Sequence, residues 1–193
     1  MDEIVKQALA KWPNVPHCTG WLMLDRRGQW RMRDDAAQAA GALGDVIRHE
    51  ALIGFINRNY ERDAEGQWFF QNGPQRVYVE LAYTPWIVRL SLADDALRLT
   101  DQTGAPFEPA HAWLDDAGGL LFSDGASPAR IAALHDHDLD LFASHASVDD
   151  ALHGGVFHWR DTVDFPLQPI ARADVERRFG FIASPAARAA SKP

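Results

Sequence analysis

The feature that most constrains the fold is residues 66–92, where β-forming residues alternate with turn residues. In residues 75–81, apolar and polar side chains alternate one by one, which is typical of a strand with one buried side. Asn72 and Gly73 favour a chain reversal before this strand, and Pro85 favours another after it. The stretch is therefore predicted to form a three-stranded antiparallel meander with one apolar face.

Residues 45–60 are predicted to form the helix that covers this meander. Asp45 is the predicted N-cap. The helix carries two adjacent apolar rows at i, i+4 spacing, which are Ile47, Ala51 and Phe55, and Leu52, Ile56 and Tyr60. Two such rows make a wide face for burial. Residues 20–34 ahead of the helix are predicted to form a hairpin that turns at an Asp-x-x-Gly sequence.

The second half of the chain repeats part of the first. Residues 24–34 and 114–124 align without a gap, 90 positions apart, and share Leu, Asp, Gly, two large apolar residues and a final Asp in register. Ser127 and Pro128 are predicted to begin a second helix, and residues 156–170 a later hairpin. The order hairpin, helix, meander is therefore predicted twice, over residues 19–92 and 112–170.

These patterns predict an α+β fold of two related, mostly antiparallel β subdomains, each with one packing helix, plus short terminal helices. A helix over residues 2–12 and another over residues 174–178 are the terminal elements. The predicted domains are an N-terminal helix and linker (1–18), a first subdomain (19–104), a second subdomain (105–183) and a flexible tail (184–193).

Charge and composition exclude several classes of partner. The 193 residues carry a net charge of −8 with scattered Lys and Arg, which argues against binding to a phosphate backbone. No apolar run approaches the roughly 20 residues of a membrane span, and the N-terminus lacks the basic and apolar regions of a signal peptide. The lone Cys18 excludes an internal disulfide and fits a reducing compartment. These observations predict a cytoplasmic protein without nucleic-acid or membrane partners.

A family resemblance is carried by five segments, which are residues 21–30, 47–52, 63–68, 73–79 and 84–86. The series resembles a group of uncharacterised proteobacterial proteins with duplicated hairpin-helix-meander motifs, a family of unknown function. It is also similar in layout to a second family of that kind. The resemblance implies two repeated α+β motifs in one compact unit. It implies no established activity and no catalytic residue, and a role in regulation or signal transduction is a suggestion attached to such proteins.

Residues 135–140, His-Asp-His-Asp-Leu-Asp, are the most ligand-like cluster. His135 and His137 are the weak candidates for metal ligands, but their spacing matches no typical zinc site and a capping role at a helix end is favoured. Neither a metal nor a cofactor is predicted. A catalytic pair of His17 and Cys18 is disfavoured, because a nucleophile needs a base that a third group orients.

Two pairs of aspartates suggest acid–base chemistry at first sight. These are Asp25 with Asp115, and Asp34 with Asp124. Aspartate side chains bond their own backbone in turns of this kind, so a structural role is favoured. The sequence also lacks the common dinucleotide, phosphate-loop, nucleophile-elbow and zinc-protease motifs.

A ligand site is predicted on the polar face of the central sheet. Its residues are Arg76 and Tyr78, with Trp86 and Arg89 from the next strand. Arginine and a phenol suit a small anion. The alternative is that Arg76 pairs across the strand with Glu80 or a neighbouring residue, as is common on exposed sheet faces.

The sequence thus indicates a non-enzymatic regulatory or small-ligand-binding module, with a homodimer through an exposed sheet face or edge as a candidate assembly. The alternative is a small metal-dependent or hydrolytic enzyme that uses residues 135–140.

Overall fold

The computed structural model describes residues 1–148, 154–160 and 162–191, and the chain divides into two compact units. The first unit comprises residues 1–25, 29–83 and 180–193, and the second comprises residues 26–28 and 84–179. The units divide after residue 83 and not after residue 104, because the strands that follow residue 84 pair with the second sheet. Within the described residues, no helix is long and apolar enough to cross a lipid bilayer.

The first unit is built on a six-stranded sheet. Its strands are β1 (Cys18–Leu24), β2 (Trp30–Met32), β3 (Asp45–Val46), β4 (Tyr60–Arg62), β5 (Trp68–Asn72) and β6 (Gln75–Leu81). They lie in the order β3-β2-β1-β6-β5-β4. Neighbours are antiparallel except β1 and β6, which run parallel. The helices of this unit are α1 (Glu3–Lys11), α2 (Asp35–Ala39), α3 (Glu50–Arg58) and the C-terminal α6 (Pro185–Ala190).

Both faces of the first sheet are covered. On one face the alternate residues of β1 and β6, including Leu22 and Val79, are buried, and Phe55 of α3 packs edge-on against Phe70 at 5.3 Å. This confirms the predicted cover, but the expectation of one buried side was wrong for β6, in which residues 78–81 are all buried. The other face carries Tyr78 and Glu80, which are buried as well, since α6 packs against β1 and β6.

The described residues of the second unit form a nine-stranded sheet and two short helices. Its strands are β7 (Trp86–Ala93), β8 (Ala96–Asp101), β9 (Pro106–Phe107), β10 (His111–Asp115), β11 (Leu120–Ser123), β12 (Ile131–Leu134), β13 (Ala146–Val148), β14 (Gly155–Arg160) and β15 (Val163–Ile170). Its helices are α4 (Leu139–Ala143) and α5 (Val175–Phe179), each preceded by one 3₁₀ turn, Asp136–Asp138 and Arg172–Asp174. The order is β13-β14-β15-β10-β11-β12-β7-β8-β9.

The strand order confirms the predicted repeat. From β12 to β13 the second sheet reads β12-β11-β10-β15-β14-β13, which reproduces the order β3-β2-β1-β6-β5-β4 of the first. The central pair is parallel in both sheets. A helix precedes the last three strands of each set, α3 in the first and α4 in the second. The fold is therefore α+β with two related, mostly antiparallel subdomains, as predicted.

Three predicted elements differ in the structure. Residues 45–46 form a strand paired with β2, so α3 begins later and His49, not Asp45, caps it by accepting the Leu52 N–H at 3.2 Å. The prediction of a helix after Ser127 was wrong. Residues 131–134 form β12 between β11 and β7, and a run of four buried apolar residues suits such a central strand. The third meander strand was also misplaced, because β7 belongs to the second sheet.

The predicted flexible tail differs too. Residues 185–190 form α6, with Ser184 as the N-cap whose hydroxyl accepts the Ala187 N–H, while residues 192–193 lie outside the described residues. A serine followed by proline at the first helical position is a strong start signal, and alanine has the highest helix propensity. The composition of this segment therefore fits a short helix once a sheet face is available to support it.

The Asp-x-x-Gly turns are structural, as predicted. Asp115 accepts the N–H groups of Ala117 and Gly119 at 2.9 and 2.6 Å. Gly118 ends the turn at φ +77°, a left-handed conformation that glycine adopts without strain. In the turns that begin at Asp25, Asp63 and Asp101, the aspartate carboxylate likewise accepts the backbone N–H of the residue four positions later. These carboxylates therefore close turns, which explains the aspartates without catalysis.

Candidate functional site

A cleft of about 600 Å³ opens on the face of the first sheet that α6 partly covers. Its walls come from strands β1 and β6, the segment before β1, the turn between β4 and β5, and α6. The lining residues are His17, Thr19, Asp63, Ala64, Glu65, Gln67, Arg76, Tyr78, Pro185, Arg188 and Ala189. Two of the four residues predicted to bind a ligand, Arg76 and Tyr78, therefore lie together at one concave site.

Arg76 borders the cleft as a half-buried cation. Its guanidinium stacks on the ring of Phe69, with 4.6 Å from the guanidinium carbon to the ring centroid. Among the described residues, no carboxylate oxygen lies within 4.0 Å of this guanidinium. The predicted alternative, a pair with Glu80, is not formed. The Glu80 carboxylate instead accepts the Ser184 hydroxyl at 2.6 Å and the Ala186 N–H at 2.9 Å.

Tyr78 presents a phenol at the floor of the cleft. The side chain is buried, its ring meets the His17 ring edge-on at 5.7 Å, and its hydroxyl donates to Asp63 Oδ2 at 3.2 Å. Burial raises the pKa of Tyr78, a hydrogen bond from the Arg76 side chain opposes that rise, and Asp63 adds to it. The phenol is thus held neutral, with its proton directed at Asp63.

Asp63 fixes the geometry of the turn between β4 and β5, where that turn borders the cleft. One oxygen accepts the N–H groups of Glu65 and Gln67 at 2.9 and 2.8 Å, and the other accepts the Gln67 side-chain amide at 3.1 Å as well as the Tyr78 hydroxyl. The carboxylate is therefore occupied by the turn and by Tyr78. Its charge is spread over four donors, which limits its repulsion of an incoming anion.

Helix α6 forms the opposite wall and is tied to the same turn. Arg188 donates to Glu65 at 2.6 Å, with side chains 33% and 51% exposed. This pair neutralises the second cation of the cleft. Arg76 thereby differs from Arg188, since no acidic partner lies beside it in the described part of the chain. An arginine that borders a cavity and has no carboxylate partner suits the recognition of a carboxylate or phosphate group.

The other two predicted ligand residues lie in the second unit. Arg89 donates two hydrogen bonds to Asp138, at 2.7 and 2.9 Å, and the hydrogen bond to Asp138 raises the pKa of Arg89. Trp86 packs against the Arg130 guanidinium at 5.5 Å. Both belong to β7 in the nine-stranded sheet, whereas Arg76 and Tyr78 belong to β6 in the six-stranded sheet.

The His-Asp segment has structural partners. His135 caps a 3₁₀ turn, where its Nδ1 accepts the His137 N–H at 3.1 Å. Asp138 is buried, which alone would raise its pKa, but hydrogen bonds from Arg89 and from the Leu90 N–H hold the pKa below its ordinary value. Within the described residues, no group of three or more His, Cys, Asp or Glu side chains is arranged to hold a metal ion. No observation of the geometry favours the hydrolytic alternative.

Sequence reasoning did not find the other cleft residues. Thr19 lies near β6 because β1 and β6 are parallel neighbours, and a parallel pair distant in sequence leaves no local signal. Arg188 was missed because it lies in the C-terminal segment that was predicted to be a flexible tail. Asp63 carried one usable signal, since its Asp-x-x-Gly turn directly precedes the strand that faces β6.

Residues 1–186 match a family, DUF2944, described as "Protein of unknown function (DUF2946)". The chain belongs to this family. The match covers both units, so the resemblance to a family of unknown function is confirmed. No curated protein matches the chain.

Two solved structures are similar to this one. A DUF1285 family protein from Silicibacter pomeroyi DSS-3 is 15% identical, with 87% of this chain and 96% of that chain covered and a TM-score of 0.50. A DUF1285 family protein from Shewanella baltica OS155 is 11% identical, with 65% and 91% covered and a TM-score of 0.41. At 15% identity the first likeness concerns the fold alone.

Proposed function

We propose that the chain is a non-enzymatic small-ligand-binding module with a regulatory role, and that its ligand is a small anion bearing a carboxylate or phosphate group. The ligand occupies the cleft of the first unit. Arg76 donates to the anionic group, and the hydroxyl of Thr19 and the imidazole of His17 border the same space. Clefts of a few hundred cubic ångströms with a few convergent polar groups are typical ligand sites.

One observation carries this proposal. Among the described residues, Arg76 lines the cleft without a carboxylate within 4.0 Å, whereas the second arginine there, Arg188, is paired with Glu65. A half-buried guanidinium gains most from an anion, because charge-assisted hydrogen bonds are stronger than neutral ones and bidentate geometry adds specificity. An anion in the cleft would give Arg76 the negatively charged partner that the described residues do not provide.

The regulatory part of the proposal rests on α6. This helix forms one wall of the cleft and is held by the Arg188–Glu65 pair and by Glu80. A ligand that contacts both Arg76 and α6 would stabilise the docked helix, since any ligand that favours one state shifts the population toward it.

A thermal-shift screen tests the proposal. Inorganic phosphate, sulfate, succinate and citrate are added to the wild type, to Arg76→Ala and to Arg48→Ala, which removes an exposed arginine of the same unit outside the cleft. At about 100 times its Kd, a ligand stabilises the folded state by about 2.7 kcal/mol. We expect a rise in Tm for the wild type and Arg48→Ala but not for Arg76→Ala. No shift in the wild type, or an equal shift in Arg76→Ala, would refute the site.

Assembly is tested separately. Homodimerisation through a sheet face or edge is a prediction of the sequence, and light scattering coupled to size exclusion measures it. A monomer mass near 21.5 kDa across the concentration range would reject the dimer without affecting the ligand site.

A further inference from the structure

The second unit contains a mostly apolar cavity of about 690 Å³. It lies between the hairpin of β10 and β11 and helix α4. Its lining residues include Asp116, Leu120, Leu139, Phe142, Ala143 and Val148. The volume is in the range of small-molecule sites, and the walls are dominated by aliphatic side chains.

The repeat explains why this space exists. Leu24 pairs with Trp30 in the first hairpin, and Leu114 pairs with Leu120 in the second, 90 residues later in the same register. Leu120 therefore takes the position of Trp30. Leu120 lines the cavity, and its side chain is much smaller than an indole.

Two further aromatic positions follow from the strand pairing. In the first sheet Tyr60 pairs with Phe70, and in the second sheet Ala146 pairs with Phe157. Ala146 therefore takes the position of Tyr60. Two residues before Phe70 and Phe157 stand Trp68 and Gly155. The rings of the first unit are thus replaced by leucine, alanine and glycine in the second.

In the first unit these rings fill the space between sheet and helix. The Trp30 ring meets the Tyr60 ring at 5.1 Å, and the Tyr60 ring meets the Trp68 ring at 4.8 Å. The Trp30 indole N–H donates to Asn57 of α3 at 2.7 Å. Protein interiors are close-packed, and a cavity costs stability. In the second unit Phe142 of α4 stacks on Phe157 at 4.7 Å, and Leu120, at the position of Trp30, borders the apolar cavity beside it.

The mouth of the cavity leaves apolar side chains in water. Leu139 and Val148 line it and are 41% and 40% exposed. Large aliphatic side chains that remain exposed at the edge of an apolar concavity are typical of a surface that a ligand covers.

The rim of the cavity is acidic. Asp115 is neutralised by Arg172 at 3.0 Å. Asp116 accepts the Arg172 N–H at 2.9 Å, is exposed, and within the described residues has no cationic group within 4.0 Å. The remaining charge at the rim is therefore negative, which favours a cationic group on the ligand.

We propose that this cavity binds an aliphatic chain that ends in an ammonium group. The chain lies against the leucines and Phe142, and the ammonium faces Asp116. The site is separate from the cleft of the first unit and takes a ligand of opposite charge, so each proposal can fail without the other.

Calorimetry on the full chain tests this site. n-Octylammonium, 1-octanol and octanoate have the same chain length and differ in the head group. We expect octylammonium to bind most tightly, octanol more weakly and octanoate most weakly. In Asp116→Asn the preference for octylammonium over octanoate should fall about tenfold, because the rim charge is removed. Equal binding of octylammonium and octanoate to the wild type would overturn the assignment of the head group.

Filling the cavity tests the position of the chain. Leu120→Trp restores the ring found in the first unit, and Ala143→Trp fills the space from an exposed helix position. Each should weaken octylammonium binding about tenfold or more, because apolar contact area is lost. Leu92→Trp, at an exposed position of β7, is the matched control and should bind as the wild type does. If Leu120→Trp does not fold, Ala143→Trp decides. Undiminished binding in the folded filled variants, or no binding to the wild type, would overturn the proposal.

Discussion

The Ser184 hydroxyl donates a 2.6 Å hydrogen bond to the carboxylate of Glu80. The second oxygen of Glu80 accepts the Ala186 N–H at 2.9 Å. A buried carboxylate on the central strand β6 thereby satisfies donors at the first turn of α6, where the helix dipole favours negative charge. Helix α6, which forms one wall of the cleft in the first unit, depends on this arrangement.

Replacing Glu80 by glutamine should therefore lower the free energy of unfolding by about 1–3 kcal/mol, since a charged acceptor of two hydrogen bonds is replaced by a neutral amide in a buried place. Urea denaturation measures the change. Glu108→Gln removes an exposed carboxylate that pairs with Arg160 and should cost no more than about 1 kcal/mol. Equal effects of the two substitutions would contradict the anchoring role of Glu80.

Asp138 should matter more than its ion-pair partner. Asp138 accepts two bonds from Arg89 and one from the Leu90 N–H at 2.9 Å, and its side chain is 8% exposed while that of Arg89 is 55% exposed. Asp138→Asn should destabilise by about 1–3 kcal/mol, because buried donors lose their charged acceptor. Arg89→Ala should cost less, since a surface pair contributes at most about 1 kcal/mol. Thermal denaturation of both variants compares them, and the reverse order would count against this account.

The stability of the second unit should fall in mild acid through His135. Burial, followed by the positive charge of Arg89, lowers the pKa of His135 below its ordinary value of 6.5, although Asp136 opposes the shift. A depressed histidine pKa stabilises the folded state above about 6.5, and this contribution is lost as the pH falls through the folded pKa. His135→Asn keeps a side chain that can accept at the cap and should flatten the dependence between about pH 7 and about pH 5. Denaturation at a series of pH values tests this, and an unchanged slope in the variant would argue against His135.

The Asp-x-x-Gly turns should be sensitive to the backbone conformation of their last residue. Gly104 has φ +87°, and no atom lies within 4 Å of the place that a Cβ would take, so Gly104→Ala meets only backbone strain, about 1–2 kcal/mol. Gly125 lacks a left-handed φ, and its nearest neighbour would be the Ala110 Cβ at 3.7 Å. Gly125→Ala should be neutral or slightly stabilising. Chemical denaturation of the pair separates conformational strain from steric contact, and equal losses of stability in both variants would contradict this account.

Local features of the fold were predictable from the sequence. Asp-x-x-Gly turns, the reversal at Gly73 and strand β6 depend on neighbouring residues, and the structure shows them. The repeat was found for the same reason, since the hairpin that begins near Leu24 and the one that begins near Leu114 have the same turn chemistry.

Non-local pairing was not predictable in the same way. Strand β7 has the alternation of a meander strand, yet it pairs in parallel with β12, and nothing in its own sequence selects one sheet over the other. The same limit applies to the candidate site. Arg76 and Tyr78 share a strand and were found together, whereas Trp86 and Arg89 were assigned to the same site by an assumed pairing. Arg188 reaches the cleft only because β6 supports α6.

The discontinuity of the first unit has a consequence for synthesis on the ribosome. Residues 84–179 are continuous within the second unit, while the first unit is completed by residues 180–193. The ribosome must therefore translate residues 84–179 before it makes α6, the helix whose first turn donates to Glu80. The first unit is therefore completed last, although most of it is synthesised first. The second unit can fold while the first unit still lacks α6.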